Sequence, residues 1–364
     1  MPPSRKVFTY LAAALVLLGV WQGWVWLQRP WRPSREELAT PKIALSHLRT
    51  HVVFAVGPAR NFLARENMLL LPEPARTATS TFSRAVAQST QDPRLFRDLD
   101  RQVRFDTIWL SGEPSSFKPL LDHLLKTRDF GPIWVDHTSI LLQRGANADA
   151  NASLPDLAEV RALAREPRET AFLLAQAATR FVALGRIEEA TKLLTEAEKA
   201  SPAVPDVWTA WAALRMQKGE WNKALEACDR ALRIDPDFLT AIGCKAQCLY
   251  ATKRFTAAWR LSDRLLTAHP DDPAVLFYHA KLAHEARAFD SEIEALIKLI
   301  ALAEAAGANV SGYRIYLAQS YAGKNDAENA KDQITLALLD TTLPREQRVF
   351  AEQLLDQITR FEKK

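Results

Sequence analysis

Few groupings in this chain have the residue types and spacing that chemistry needs. Cys244 and Cys248 are four residues apart, which puts two thiols on one side of a helix at the spacing of paired metal ligands, and Cys228 precedes them. No histidine falls within that stretch, and thiols in an alanine-rich helical segment pack as small apolar groups, so no metal is expected. His279 and His284 are five residues apart and fall on different faces of a helix. Asp106, Asp122, His123, Asp136 and His137 are the remaining polar candidates. Asp136-His137 sits in an expected tight turn, where aspartate bonds its own backbone. Asp122-His123 are neighbours on an expected helix, and Asp106 opens an expected strand. None of these supplies an activated nucleophile, a ligand cluster or an oriented base, so the expectation is a protein without catalytic residues or cofactor. Gly57-Pro58 lacks the further glycines and the lysine of a phosphate loop.

Composition narrows the class. The 364 residues exceed one compact domain, and 48% hydrophobic with 25% charged residues excludes wholesale disorder. A net charge of +4 without a clustered basic stripe gives no footprint for nucleic acid. Three cysteines exclude a disulfide-dense scaffold.

The elements that must position these groups begin with a membrane segment. Val7 to Leu27 is an almost unbroken apolar run, long enough as a helix to cross the hydrocarbon layer. Trp21, Trp24, Trp26 and Trp31 crowd its second end, as indoles do in the headgroup zone. Gln28-Arg29-Pro30-Trp31 offers no small-x-small cleavage site, so residues 1–30 are read as an uncleaved single-pass anchor. Arg5 and Lys6 stand before the run and Arg29, Arg32 and Arg35 after it, so charge alone gives no orientation. The short basic tail is placed in the cytoplasm, which puts the folded part on the extracytoplasmic side.

Residues 31–146 alternate between strand and helix signals, a small α/β domain. Ser34 to Ala39 opens with a capping-box spacing. Val52–Val56, Met68–Leu71, Phe105–Leu110, Phe130–Val135 and Ser139–Gln143 read as strands, the last two as a hairpin about Asp136-His137-Thr138. Ala59–Glu66, Pro93–Val103 and Ser115–Lys126 read as helices. Leu95-Phe96-Arg97-Asp98-Leu99, Phe105-Asp106-Thr107-Ile108-Trp109-Leu110, Trp134-Val135-Asp136 and Ile140-Leu141-Leu142-Gln143-Arg144 form a phrase of helix, acidic strand and terminal hairpin ending in arginine. Over residues 50–144 that phrase loosely resembles the soluble C-terminal domain of bacterial glycosyltransferases of the dolichyl-phosphate-mannose type. The resemblance implies an extracytoplasmic accessory domain and not sugar transfer, since the membrane helices and catalytic loops of those enzymes are missing. Residues 147–153, small and polar, read as a linker.

From Leu154 strand signals vanish and residues 154–364 read as stacked helices. Pro202, Pro236 and Pro270 are 34 apart, as are Ala190, Ala224 and Ala258, and Ala178, Ala212, Ala246 and Ala280. Gly185 and Gly219 mark turns between paired helices, with Lys253 and Arg287 at the same phase later. Small residues at fixed phase let two antiparallel helices approach, and proline after the second helix ends it. With Trp208 at the aromatic phase of a first helix, this rhythm resembles the tetratricopeptide repeat (TPR). Repeats are read at 171–204, 205–238, 239–272, 273–310 and 311–344, after a leading half-unit from Leu154 to Arg165. The fourth departs from the pattern, with Glu292 at a small-residue phase and an insertion of about four residues at Gly307-Ala308-Asn309. Glu346 to Phe361 reads as a capping helix with Val349, Phe350, Leu354, Leu355 and Ile358 facing inward. The fold class is therefore mainly α: a TPR solenoid of five repeats plus a cap, preceded by the α/β domain and a single transmembrane helix.

In that family the groove formed by the first helices receives a peptide. By phase, the resemblance implies a groove of Gln176, Thr179, Gln217, Gln247, Tyr250, Phe277, Tyr278, Lys281, His284, Tyr316 and Gln319. The aromatic members serve equally well as packing between repeats. The lysine and asparagine clamp of one carboxylate-gripping subclass is missing: Ala175, Thr209 and Gly243 stand at the lysine phase, and Thr179, Ala213 and Gln247 at the asparagine phase. Two functions follow as expectations. One is a membrane-anchored scaffold or adaptor that binds a protein or peptide in the groove. The other is an accessory protein or enzyme of envelope polysaccharide or glycolipid assembly, acting through the α/β domain.

Overall fold

The computed structural model describes Trp31 and residues 53–56, 88–146 and 157–362. The expected membrane segment at 7–27, the helices at 34–39 and 59–66, the strand at 68–71 and the linker at 147–153 lie outside these residues. Among the described residues, no helix is long and apolar enough to cross a membrane.

Four strands form one sheet in the order β1-β2-β4-β3, with β1 Val53–Val56, β2 Thr107–Ser111, β3 Phe130–Val135 and β4 Ser139–Arg144. β1 and β2 are parallel, Phe54 opposite Ile108. β2 with β4 and β4 with β3 are antiparallel, with a register shift between Pro132 and Trp134. The parallel pair needs a crossover, and α1 (Pro93–Val103) lies within it; Asp92 caps α1 by accepting from the Arg94 amide. A 3₁₀ turn at Pro114–Ser116 leads into α2 (Lys118–Thr127), so the helix expected from Ser115 starts three residues late. Every residue of β2 is buried, which a strand achieves only when both faces of its sheet are covered. Phe54, Phe96, Phe105 and Phe130 pack ring to ring with centroids 5.1–6.3 Å apart.

Helices then follow in sequence: α3 (Ala158–Leu163), α4 (Pro167–Ala183) with α5 (Ile187–Ala200), α6 (Pro205–Gln217) with α7 (Trp221–Ile234), α8 (Leu239–Ala251) with α9 (Phe255–Ala268), α10 (Pro273–Glu285) with α11 (Phe289–Ala305), α12 (Ser311–Gly323) with α13 (Ala327–Leu338), and finally α14 (Arg345–Glu362). The last four pairs begin at the expected repeat starts of 205, 239, 273 and 311, whereas α4 begins at Pro167, four residues before the expected start of the first repeat. The phased alanines are all buried, Ala178, Ala212, Ala246 and Ala318 completely and Ala280 to 3%. The turn inside each pair passes through a left-handed residue: Gly185, Gly219, Lys253, Arg287 and Asn325, with φ between 57° and 75°. Two of those five positions bear glycine, which enters that region without Cβ strain. The insertion in the fourth repeat lengthens its second helix to 17 residues, against 14 in α5, α7 and α9.

The described residues divide into two compact units. One runs to Leu214 and adds Arg233–Pro236, and the other holds Arg215–Leu232 and everything from Asp237. In the first, the sheet and α3 to α5 share one hydrophobic core reaching from Phe54 to Leu214. Arg180 of α4, 3% exposed, reaches back to the sheet region and donates to the Gly112 carbonyl at 3.0 Å. Trp31, expected among the headgroup-zone indoles, instead donates its Nε1 to Glu166 at 3.0 Å and meets Phe172 edge to face.

The closing helix corrects one expectation. Ala351 and Ile358 face inward and Leu354 and Leu355 are half-buried, but Val349 and Phe350 are 44% and 42% exposed. The inward stripe follows positions 351, 354, 355 and 358, and 349 and 350 lie off that arc of a 3.6-residue turn.

Candidate functional site

The groove candidates fall in both units. In the first, Gln176 and Thr179 of α4 are engaged internally. The Gln176 amide donates to Asp206 at 2.9 Å while its backbone carbonyl accepts from Arg180, and Thr179 donates to the Ala175 carbonyl. Little of either is left to receive a ligand.

In the second unit the first helices α8, α10 and α12 bring most of the remaining candidates onto linked positions. Tyr250 of α8 meets α10 twice. Its hydroxyl donates to Glu285 at 3.4 Å, and Lys281 Nζ lies 5.0 Å from its ring centroid. Burial, and then the Glu285 carboxylate, push the Tyr250 hydroxyl pKa up, so it stays a donor at neutral pH. Phe277 of α10 meets α12 through Tyr313 at 5.8 Å and Tyr316 at 5.7 Å between ring centroids. Tyr316 remains 48% exposed, and Gln247 and Lys281 are exposed as well. Gln319 is half-buried, and Gln217, at the end of α6, is exposed. Tyr313 belongs to this array and was missed from sequence, although it lies one turn before Tyr316 on the same helix.

Two candidates serve the scaffold instead. The Tyr278 hydroxyl is buried without a hydrogen-bond partner and its pKa is raised, mainly by burial, so this side chain packs between repeats rather than offering a polar tip. His284 is 44% exposed, but its Nδ1 lies 3.1 Å from the Glu292 carboxylate, which is itself only 3% exposed. The hydrogen bond to Glu292 raises the His284 pKa. This pairing is how the fourth repeat accommodates a glutamate where its neighbours hold alanine. His279, on another face as expected, is buried and bridges three helices: Nδ1 lies 2.9 Å from Ser262 Oγ and Nε2 lies 2.7 Å from Ser291 Oγ.

A separate cleft of about 580 Å³ in this unit is lined by Leu225, Asp229, Lys245, Leu249, Arg254 and Arg260 among others. Position 245 is about 200° around α8 from position 247 at 3.6 residues per turn, so the cleft is not part of the aromatic array.

The polar candidates of the sheet are tied up locally. Asp136 accepts from the Trp134 indole, the Thr138 amide and hydroxyl, and the Ser139 amide, all within 3.1 Å. That is the turn role expected for it. Asp122 pairs with Lys118 on the surface of α2. Burial lowers the His123 pKa, with Arg97 acting in the same sense. His137 is 2% exposed and neither ring nitrogen has a hydrogen-bond partner. No group of three or more histidine, cysteine or acidic side chains that could hold a metal occurs among the described residues.

Comparison with known proteins places this geometry. Residues 181–242 and 215–282 match the family model described as "Tetratricopeptide repeat". None of the curated proteins compared matches the chain. Among solved structures, residues 41 to the end of MamA from Desulfovibrio magneticus RS-1 are 20% identical, with 46% of this chain and 93% of that one covered at a TM-score of 0.40. YrrB, described as a TPR protein with an unusual peptide-binding site, is 13% identical over 50% of this chain and 92% of its own, at a TM-score of 0.44. The thermophilic TPR protein TTC0263 of Thermus thermophilus is 19% identical over 50% and 97%, at 0.34. The resemblance of residues 50–144 to a glycosyltransferase domain gains no support from these comparisons. The family match, the 34-residue phase and the paired helices together identify residues 181–282 as tetratricopeptide repeats.

Proposed function

We propose that this chain is a membrane-tethered scaffold or adaptor that holds an extended protein segment against the first-helix face of α8, α10 and α12. The observation that carries the reading is the linked array of Tyr250, Lys281, Phe277 and Tyr316, in which a cation and aromatic rings stand on three successive first helices. Rings held by neighbouring rings lose little rotamer freedom when a ligand packs on them, and exposed Gln247 adds an amide that can pair with extended backbone. Gln176 and Thr179 are satisfied internally, so the binding surface is confined to the second unit.

The tether is residues 7–27, with the folded part on the extracytoplasmic side. Its support is the apolar run and the flanking tryptophans and basic residues of the sequence. Anchoring raises the local concentration of the array at the membrane surface, so modest affinity suffices for function.

A photoreactive residue at position 316 of the membrane-expressed chain tests the groove, with the same residue at position 256 on α9 as control. The reading expects a discrete crosslinked product from 316 and not from 256, weakened by Lys281→Ala. Equal products from both sites would remove the array as the binding surface. Protease digestion of intact cells and of spheroplasts tests orientation. Protection of the folded part after the outer barrier is opened would refute the extracytoplasmic placement.

A further inference from the structure

The cleft of about 580 Å³ lies on the side of α8 turned away from the aromatic array. Its volume is in the range of clefts that hold small molecules. Leu225 of α7, Leu249 of α8 and Leu261 of α9 form its apolar wall and belong to one hydrophobic cluster. Leu249 is buried, while Leu225 and Leu261 keep part of their surface free. The polar part of the lining is cationic. Asp229 and Lys245 neutralise each other at 2.6 Å. Arg254, which caps the start of α9, and Arg260, on the second turn of that helix, are both exposed. Neither arginine side chain has an ion pair or hydrogen bond with another described residue. Two guanidinium charges therefore stand without a partner beside a wall of leucines.

Repeat packing does not demand these arginines. The phase of Arg254 holds Arg186, Glu220, Ala288 and Asp326 in the other repeats, and the phase of Arg260 holds Lys192, Glu226, Glu294 and Asp332. The sign of the charge varies from repeat to repeat. Within the second unit, cations occupy both phases only in the third repeat, which is the repeat that supplies most of the cleft.

We propose that this cleft binds an anion with a hydrocarbon body: a carboxylate or phosphate head between Arg254 and Arg260, and a chain along Leu225, Leu249 and Leu261. A guanidinium takes either head through two parallel hydrogen bonds. Water and salt screen exposed arginines, so a bare anion is held weakly. The leucine wall supplies the remaining affinity, each buried methylene tightening binding roughly fourfold. The site shares no residue with Tyr250, Phe277, Lys281 and Tyr316, so the groove reading and this one stand or fall separately.

The test uses the full chain in phosphatidylcholine nanodiscs and octanoic acid bearing a diazirine at its far end. A second arm uses octyl phosphate with the same diazirine, and a control uses the matching uncharged octanol. After irradiation, labelled residues are mapped by peptide mass. The expected result is label from at least one anion on the peptides holding Leu225, Leu249 or Leu261, and the ratio of the two arms tells which head the arginines prefer. Octanoate should displace the labelled acid at a concentration roughly 15-fold below that of hexanoate, two methylenes at roughly fourfold each. The double variant Arg254→Gln/Arg260→Gln changes only exposed side chains and should lose at least about tenfold of the label. Equal labelling by octanol, or undiminished labelling of the double variant, overturns the proposal. Label confined to other peptides overturns it as well. Displacement by inorganic phosphate as effective as by octanoate would remove the hydrocarbon body from the ligand and overturn it too.

Discussion

Acid should loosen the sheet, and His137 should be the reason. This side chain sits in the turn between β3 and β4, 2% exposed, with no hydrogen-bond partner for either nitrogen. Burial, and after it the Arg180 charge, hold its pKa down to about 4 from 6.5, although Asp136 pulls the other way. The imidazole is therefore neutral in the fold at neutral pH, while the unfolded chain takes up a proton as pH falls through 6.5. The unfolded state then binds more protons, so stability is fully present above that value and drains away as pH falls toward the folded value. The loss is about 2 kcal/mol by about pH 5 and about 3 kcal/mol near pH 4. Amide hydrogen exchange in β2 and β4, corrected for intrinsic rate, reads this locally without assuming that the whole chain unfolds in one step. The wild type should lose roughly 20-fold more protection than His137→Leu between about pH 7 and pH 5, since part of the loss of about 2 kcal/mol is already incurred at pH 7. Equal losses in the two proteins would show that His137 does not titrate between fold and unfolded chain as its burial demands.

Four other outcomes follow from particular contacts. Lys253→Gly and Arg287→Gly should each raise stability by about 0.5–1 kcal/mol, because glycine removes the Cβ strain of a left-handed turn and gives back part of that in chain entropy; thermal melting checks the sign. Gly323→Ala should destabilise by about 1–3 kcal/mol, since a Cβ there would lie 2.6 Å from the Phe289 ring, and hydrogen exchange in α11 and α12 should register it. His284→Ala should cost roughly 1–3 kcal/mol by leaving the buried Glu292 carboxylate without its partner, whereas Glu292→Ala restores the small residue of the other repeats and should cost less; urea titration of the pair decides. Phe350→Gln should change stability by no more than about 0.5 kcal/mol, whereas Ala351→Leu, at a fully buried position, should cost about 1–3 kcal/mol in the same titration.

The repeat array was legible because its rule is local and periodic. Ala190, Ala224 and Ala258 declare a close helix contact by spacing alone, and all three are buried. Gly185 and Gly219 mark their turns for the same reason, and even Lys253 and Arg287 are found by phase, although their types hide the left-handed backbone. The strands were legible as apolar runs between turn signals, and Asp136 as a turn aspartate. For the binding array, spacing found the right helices but not which side chains stay free. Gln176, Thr179 and Tyr278 share the groove phase with Gln247 and Lys281, yet the first three spend themselves on internal partners or on packing.

Other features answer to no local rule. Nothing near Arg180 says that it will be buried and bonded to Gly112, 68 residues earlier in the chain. Nothing near Trp31 says that its indole will find Glu166. His137 becomes a buried, unpartnered imidazole only once sheet and helices close over it, and the sequence around it reads as an ordinary turn. Sequence alone determined which segments coil, where they turn and which faces are apolar, because those depend on neighbours within a few residues or on a repeated interval. Tertiary structure decided which polar groups are sealed, paired or left free, because burial and hydrogen bonding depend on distant atoms brought together by packing.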